Sequence, residues 1–269
     1  MDKDYKVIRR VENNRLVYYM RTPNSEFWDE WSLADLTEAS YANARLGFSK
    51  PFEGTFYDYI PQTGKILEAG CGNSRYVVSL LAKGYDIEGV EWGNKTIEAV
   101  KQFFPDLPIR EGDVTYLDVP DEYYQGYLSL GVMEHRREGP KPYLDEAFRV
   151  LKPDGIALIS VPCFNPLRQF KANIGFFKSD SHDLDFYQYA YLRDEFQAYL
   201  QETGFEILDW RTYGGVKGIK DEIGLINLVL GWPIIGKYLR KVLQRWRYGN
   251  THLGHMMVFA CRKPEKDNL

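Results

Sequence analysis

Lys65-Ile66-Leu67-Glu68-Ala69-Gly70-Cys71-Gly72-Asn73-Ser74-Arg75-Tyr76 is the stretch whose reading decides the fold. It begins as a short apolar run and reaches two glycines separated by one residue. Tyr76 to Leu81 then reads as a helix that closes at Gly84, a residue suited to ending a helix. Strand, glycine turn and helix in direct succession open a βαβ unit. Gly70 and Gly72 let the backbone come close to a ligand where a side chain would block it.

The alternation continues downstream. Strands are predicted at Asp86–Val90, Ile109–Glu111, Tyr127–Leu130 and Ile156–Val161. Helices fall between them, at Lys95–Phe104 before Pro105 and at Tyr143–Leu151 before Lys152-Pro153-Asp154-Gly155. After Pro162 the pattern loosens for about 28 residues. It resumes with a helix from Arg193 to Glu202, a strand from Phe205 to Trp210 and, after a second long excursion, an apolar strand from His255 to Cys261. This order implies right-handed βαβ units and a parallel sheet; the expected fold is Rossmann-like α/β, a seven-stranded, mostly parallel sheet with helices on both faces and an antiparallel last strand. Upstream, residues 5–21 read as a hairpin about Glu12-Asn13-Asn14. Phe27, Trp28, Trp31, Leu33, Leu36, Tyr41 and Leu46 recur at near-helical spacing. Residues 1–57 are therefore expected to form a hairpin and helical cap. Residues 58–269 form the main domain, with excursions 162–190 and 211–252 as a lid over its acceptor.

Bulk properties narrow the classes. The 269 residues carry a formal net charge of −4, so there is no global basic field for nucleic acid. Cys71, Cys163 and Cys261 are dispersed and form no CxxC pair, which fits a reducing compartment. The charged start Met1-Asp2-Lys3-Asp4 has no apolar core of a signal peptide, and a cytoplasmic protein is expected. The uncharged run Ile223–Gly236 is shorter than the roughly 20 residues a spanning helix needs. It leads into Lys237, Arg240, Lys241, Arg245 and Arg247, with Tyr238, Leu239, Val242, Leu243 and Trp246 on the other face. Segment 223–247 reads as a substrate lid packed on the domain, with peripheral contact to anionic lipid as its alternative.

Ligands of an open α/β sheet bind beyond the carboxyl ends of the strands. Three acids fall there: Glu68, Glu91 and Asp113. Glu91 follows Gly70 by 21 residues, the spacing at which an acid reaches a ribose diol. A dinucleotide fingerprint also needs a third glycine at position 75, and this chain has Arg75. That glycine serves packing around a pyrophosphate, so its absence favours a nucleoside ligand without one, such as S-adenosyl-L-methionine.

Taken together, Ile66 to Gly72, Gly89-Val90-Glu91, Gly112-Asp113-Val114, Ser129 to His135 and Phe148 to Gly155 resemble the ordered motifs of class I S-adenosylmethionine-dependent methyltransferases. The likeness is to the small-molecule, ubiquinone-biosynthesis-like branch, and it covers roughly residues 62–162. One departure is Tyr127-Leu128, where the family often has an acid. The resemblance implies that Glu91 holds the ribose hydroxyls and that Asp113 and the Val114 backbone meet the adenine. Glu68, Ala69, Gly70, Cys71 and Gly72 would form the loop under the methionine part, with Leu130 and Gly131 lining it. Trp92 would stack near the adenine, and Tyr41 and Arg45 would cover the methionine carboxylate.

The expected reaction is methyl transfer to a small-molecule acceptor, at oxygen rather than nitrogen or carbon. A glycan, lipid-linked or polyketide-like acceptor suits the aromatic and apolar excursions. A hydroxyl acceptor benefits from a base, and His135 and His182 are the candidates, each with a plain structural alternative as a cap or loop residue. His255 reads as structural, and Cys71 as a small residue in a crowded turn. Asp183 and Asp185 lack the partners of a metal site. Two rivals remain: a non-catalytic cofactor-binding scaffold and a nucleotide-dependent oxidoreductase.

Overall fold

The computed structural model describes residues 7–20, 33, 36–48, 57–177, 184–223, 232, 236 and 252–265. Its centre is β3 (Ile66–Ala69), whose four residues are all buried. A strand covered on both faces needs apolar residues at successive positions rather than alternate ones, which is why the run Ile66-Leu67 is continuous. β3 pairs in parallel with β4 (Ile87–Glu91) on one side and β6 (Tyr124–Leu130) on the other. β5 (Ile109–Glu111) extends the sheet beyond β4, and β7 (Leu151–Pro162) extends it beyond β6. β10 (Met256–Arg262) then pairs antiparallel with both β7 and β9 (Glu206–Tyr213). The order is β5-β4-β3-β6-β7-β10-β9, seven strands with the last in sequence running antiparallel. The chain leaves β3 toward β4 and β5, then crosses back to β6. The carboxyl ends of β3 and β6 therefore flank the switch point where such sheets bind ligands.

Seven helices accompany the strands among the described residues: α1 (Glu38–Tyr41), α2 (Arg75–Ala82), α3 (Asn94–Phe103), α4 (Lys141–Val150), α5 (Pro166–Asn173), α6 (Arg193–Thr203) and α7 (Gly215–Glu222). Local chemistry sets their ends. Thr37 and Ser40 form a reciprocal capping box on α1. Asn165 caps α5 with its side chain, followed by Pro166. Gly204 closes α6 in the left-handed region.

A second sheet stands apart from the first. β1 (Ile8–Glu12) and β2 (Arg15–Met20) form the expected hairpin, and Asn13 and Asn14 both have positive φ, as a two-residue primed turn requires. Its third strand is β8 (Asp185–Ala190), from within the first excursion. Just past β8, Tyr191 bridges to Cys163 at the end of β7, so this small sheet is fastened at the carboxyl end of the large one.

Several elements differ from the sequence expectation. The first excursion holds α5 and β8, and the second opens with α7. β7 begins at Leu151 rather than at Ile156. Its first residues pair across a register shift with β6, and Asp154 takes a positive φ of 59° inside the strand. Of the N-terminal helical stretch, the described residues give α1 and a 3-10 turn at Ala44–Leu46. Phe27, Trp28, Trp31, Asp183, His182 and most of 223–247 lie outside the described residues.

Candidate cofactor and active site

The glycine loop is fixed by the end of β4. Gly70 and Cys71 both donate to Val90 O, at 2.8 and 3.0 Å. Gly72 N donates to Glu91 Oε2 at 2.7 Å. Trp92 N and Gly93 N donate to the other oxygen, Oε1, at 2.9 and 3.0 Å. One carboxylate thus holds the glycine loop against the turn that starts α3. Charge-assisted bonds of this kind are about twice as strong as neutral ones.

The loop's backbone explains its glycines. Gly70 has φ +76°, and a Cβ there would lie 2.5 Å from Val132 Cγ2. Gly72 has φ +48°, and a Cβ there would meet no protein atom within 4 Å. The first glycine lets the loop touch the turn after β6; the second faces open space, as a cradle for a ligand would. Tyr41 donates to Asn73 O at 2.7 Å and is fully buried against Phe103 and Phe104. It holds the loop from behind. Arg45 stacks on Phe104 and pairs with Glu38 at 3.4 Å.

Glu68 is buried behind the loop, where its Oε2 accepts from Val77 N at 3.1 Å and ties β3 to α2. Burial pushes its carboxyl well above the usual carboxylate range. Ala69 is fully buried in β3. Burial likewise raises the Cys71 thiol far above its ordinary value, and the sulfur fills the space left by Gly89. Such a thiol is a packing group rather than a nucleophile.

Trp92 is 64% exposed beside the Glu91 carboxylate. Asp113 Oδ1 accepts from the backbone N–H and hydroxyl of Thr115 at 2.8 and 2.7 Å, with Val114 buried next to it. Leu130 is half-buried at the end of β6, where it lines a small apolar cavity with Tyr76, Leu128 and Leu158. Gly131 follows in the left-handed region. The structure therefore gathers Gly70, Cys71, Gly72, Glu91 and Trp92 through direct bonds, and sets Leu130 and Gly131 on a turn whose Val132 touches Gly70.

His135 sits on the 3-10 turn Met133–His135 after β6. Its Nδ1 lies 2.9 Å from Tyr187 O of β8, a carbonyl that can only accept, so Nδ1 carries the proton. Burial pushes the ring down to about 4, so it is neutral at pH 7. Glu134, which the sequence reading passed over, is 2% exposed, and its Oε1 lies 3.8 Å from His135 Nε2.

Comparison with known proteins agrees with this architecture. Residues 67–159 match the family model described as a methyltransferase domain. That match spans about a third of the chain. A curated Mycolicibacterium smegmatis protein named "Probable S-adenosylmethionine-dependent methyltransferase" is 32% identical over 112 residues. That match takes in 40% of this chain and 43% of the relative, so the chain matches less than half the length of that relative. A Burkholderia thailandensis 1,6-didemethyltoxoflavin-N1-methyltransferase, solved with S-adenosylhomocysteine, shares the fold at TM-score 0.55 and 16% identity, over 96% of this chain and all of that one. A methyltransferase from Methanosarcina mazei does so at TM-score 0.54 and 16% identity, over 78% of this chain and 97% of that one.

Proposed function

We propose that this protein transfers a methyl group from S-adenosyl-L-methionine to a small-molecule acceptor, at oxygen rather than nitrogen or carbon. The observation that carries the reading is the Glu91 clasp, which joins the glycine loop to the end of β4 at the switch point of a sheet in the β5-β4-β3-β6-β7-β10-β9 order. When bound, the cofactor supplies an electrophilic methyl on a sulfonium for in-line displacement. Glu91 would hold the ribose, and Asp113 with the Val114 backbone the adenine. Gly70, Cys71, Gly72, Leu130 and Gly131 would line the methionine part, and Glu68, Ala69 and Tyr41 would support the loop from behind. Trp92 would stack at the adenine side, while Arg45 stands as a candidate cover.

His135 would act as base toward an acceptor hydroxyl. Its neutral ring, set just beyond β6, supports that role, and its low proton affinity limits how much it contributes. His182 is the alternative base. The small sheet, the two excursions and segment 223–247 would enclose the acceptor, with a glycan, lipid-linked or polyketide-like molecule as the chemical class. We read 223–247 as the lid rather than a membrane contact, and we place the protein in the cytoplasm. Protein staying in the supernatant with anionic vesicles at low salt supports the lid; salt-sensitive co-sedimentation would reverse that choice.

Calorimetry tests the central reading. Binding of S-adenosylhomocysteine without binding of NAD supports it, and the opposite result overturns it. Transfer of label from the donor into a metabolite extract then separates an enzyme from a scaffold that binds the cofactor.

A further inference from the structure

Glu134 lies four residues beyond β6, with Oε2 sealed from solvent and without a hydrogen-bond partner. The buried hydroxyl of Tyr191 is also unpartnered and is electrostatically coupled to Glu134. Each such group left unsatisfied costs on the order of 1–3 kcal/mol, so two together mark a place prepared for a third group. The place adjoins the glycine loop. Val132 of the same turn packs on Gly70, and Oε1 is 3.5 Å from where a Cβ on Gly131 would sit.

The groups around Glu134 carry no charge. His135 is neutral. Tyr143 of α4, Tyr187 of β8, Tyr191 and Tyr213 of β9 all feel Glu134, and burial pushes every one of these phenols up. Among the described residues, the neutral His135 is the sole basic side chain within 4.0 Å of its oxygens. A buried carboxyl without a cation keeps its proton, and burial pushes Glu134 up to about 8. A sulfonium would provide the missing positive charge.

We propose that Glu134 is the counter-ion of the donor's sulfonium, releasing its proton to solvent when S-adenosyl-L-methionine binds and keeping it when the uncharged S-adenosylhomocysteine binds. The inference rests on the methyltransferase reading above. It also gives the site a way to favour donor over product, because the attraction vanishes with the charge. The donor's sulfonium lowers the pKa of its own amino group relative to the product, so each free ligand's titration is measured separately and subtracted from its proton count and from the pH dependence of its Kd.

The test is calorimetric proton counting for both ligands in buffers of different ionisation enthalpy. At pH 7 the donor should release close to one proton more than the product, since a group at about 8 is then roughly nine-tenths protonated. At pH 9 the difference should vanish. The ratio of the two Kd values should move about tenfold per pH unit toward the donor as pH rises to 8, then level off. Glu134→Gln keeps the size and the neutral form. It should erase both effects while leaving product affinity unchanged, which also shows that the variant is folded. Equal proton counts for the two ligands in the wild type, or a difference that survives in Glu134→Gln, would overturn the proposal. The wild-type comparison stands without the variant. If neither ligand binds the wild type, the methyltransferase reading itself fails; if both bind with equal proton counts, this inference alone fails.

Discussion

Gly70 and Gly72 occupy the same loop for different reasons, and the difference can be measured. Gly70→Ala places a methyl 2.5 Å from a branched valine in a left-handed backbone. Strain and overpacking together should cost about 2 kcal/mol or more of folding stability. Gly72→Ala meets no protein atom, so stability should fall by only about 1 kcal/mol from the backbone conformation. Its methyl projects into the space assigned to the cofactor, and affinity for S-adenosylhomocysteine should drop about tenfold or more, equivalent to about 1.4 kcal/mol. Chemical denaturation and calorimetry on both variants check this. A Gly72→Ala protein that binds as well as wild type would remove the cradle. Glycine spacing and the acid 21 residues on were legible in the sequence because both follow from local backbone geometry. Glu134 was not legible. In sequence it is an acid beside a histidine after a strand, and its burial follows from β8, Tyr191 and β9, all at least 50 residues away.

At the scale of elements, a buried ion cluster joins the small sheet to the second excursion. Glu222 at the end of α7 accepts from Arg168 Nε at 3.0 Å and from Lys171 Nζ at 2.7 Å, both on α5, and pairs with Arg9 of β1. Arg168 is wholly buried and also reaches Cys163 O and His255. Burial alone would raise the Glu222 carboxyl, but Lys171, Arg9 and Arg168 outweigh it and hold it below its ordinary value. A carboxyl lowered in the folded state contributes stability above its unfolded value of 4.5, and that stability disappears as pH falls through the folded value. Glu222→Gln leaves buried cations without their partner and should cost about 3–5 kcal/mol at pH 7. It should also flatten the fall in stability below pH 5. Denaturation midpoints measured from pH 3 to 8 decide the matter. An acid limb as steep as that of wild type would show that other carboxylates control it.

Strand and helix alternation exposed the large sheet to sequence reading, because β3 and the Ile156–Val161 part of β7 are mainly apolar runs and the helices between the strands carry their own stops. The elements α5 and β8 were harder to see. Asn165-Pro166 is a cap followed by a first-turn proline, a signal that was present. Asp185-Phe186-Tyr187-Gln188-Tyr189-Ala190 carries aromatics on both faces and shows no clean alternation. Its identity as a strand comes from pairing with β2, which lies about 170 residues earlier.

For the whole molecule, the loop, the Glu91 clasp and the turn after β6 belong to one folded unit, so ligand binding should register as global stability. A ligand that binds only the native state at 100 times its Kd adds about 2.7 kcal/mol. For a chain of this size that corresponds to a Tm increase of roughly 5–10 °C. S-adenosylhomocysteine should produce that shift, and NAD at the same concentration should not. Glu91→Ala removes the acceptor for three backbone N–H groups, so both the basal Tm and the shift should fall. Gly72→Ala should lose most of the shift and little of the basal Tm. The contrast matters because a variant that merely unfolds would lower both values together. If Gly72→Ala retained the full shift, the cofactor would have to lie elsewhere on the sheet, and the Glu91 clasp would be a device for holding β4 to the glycine loop and nothing more.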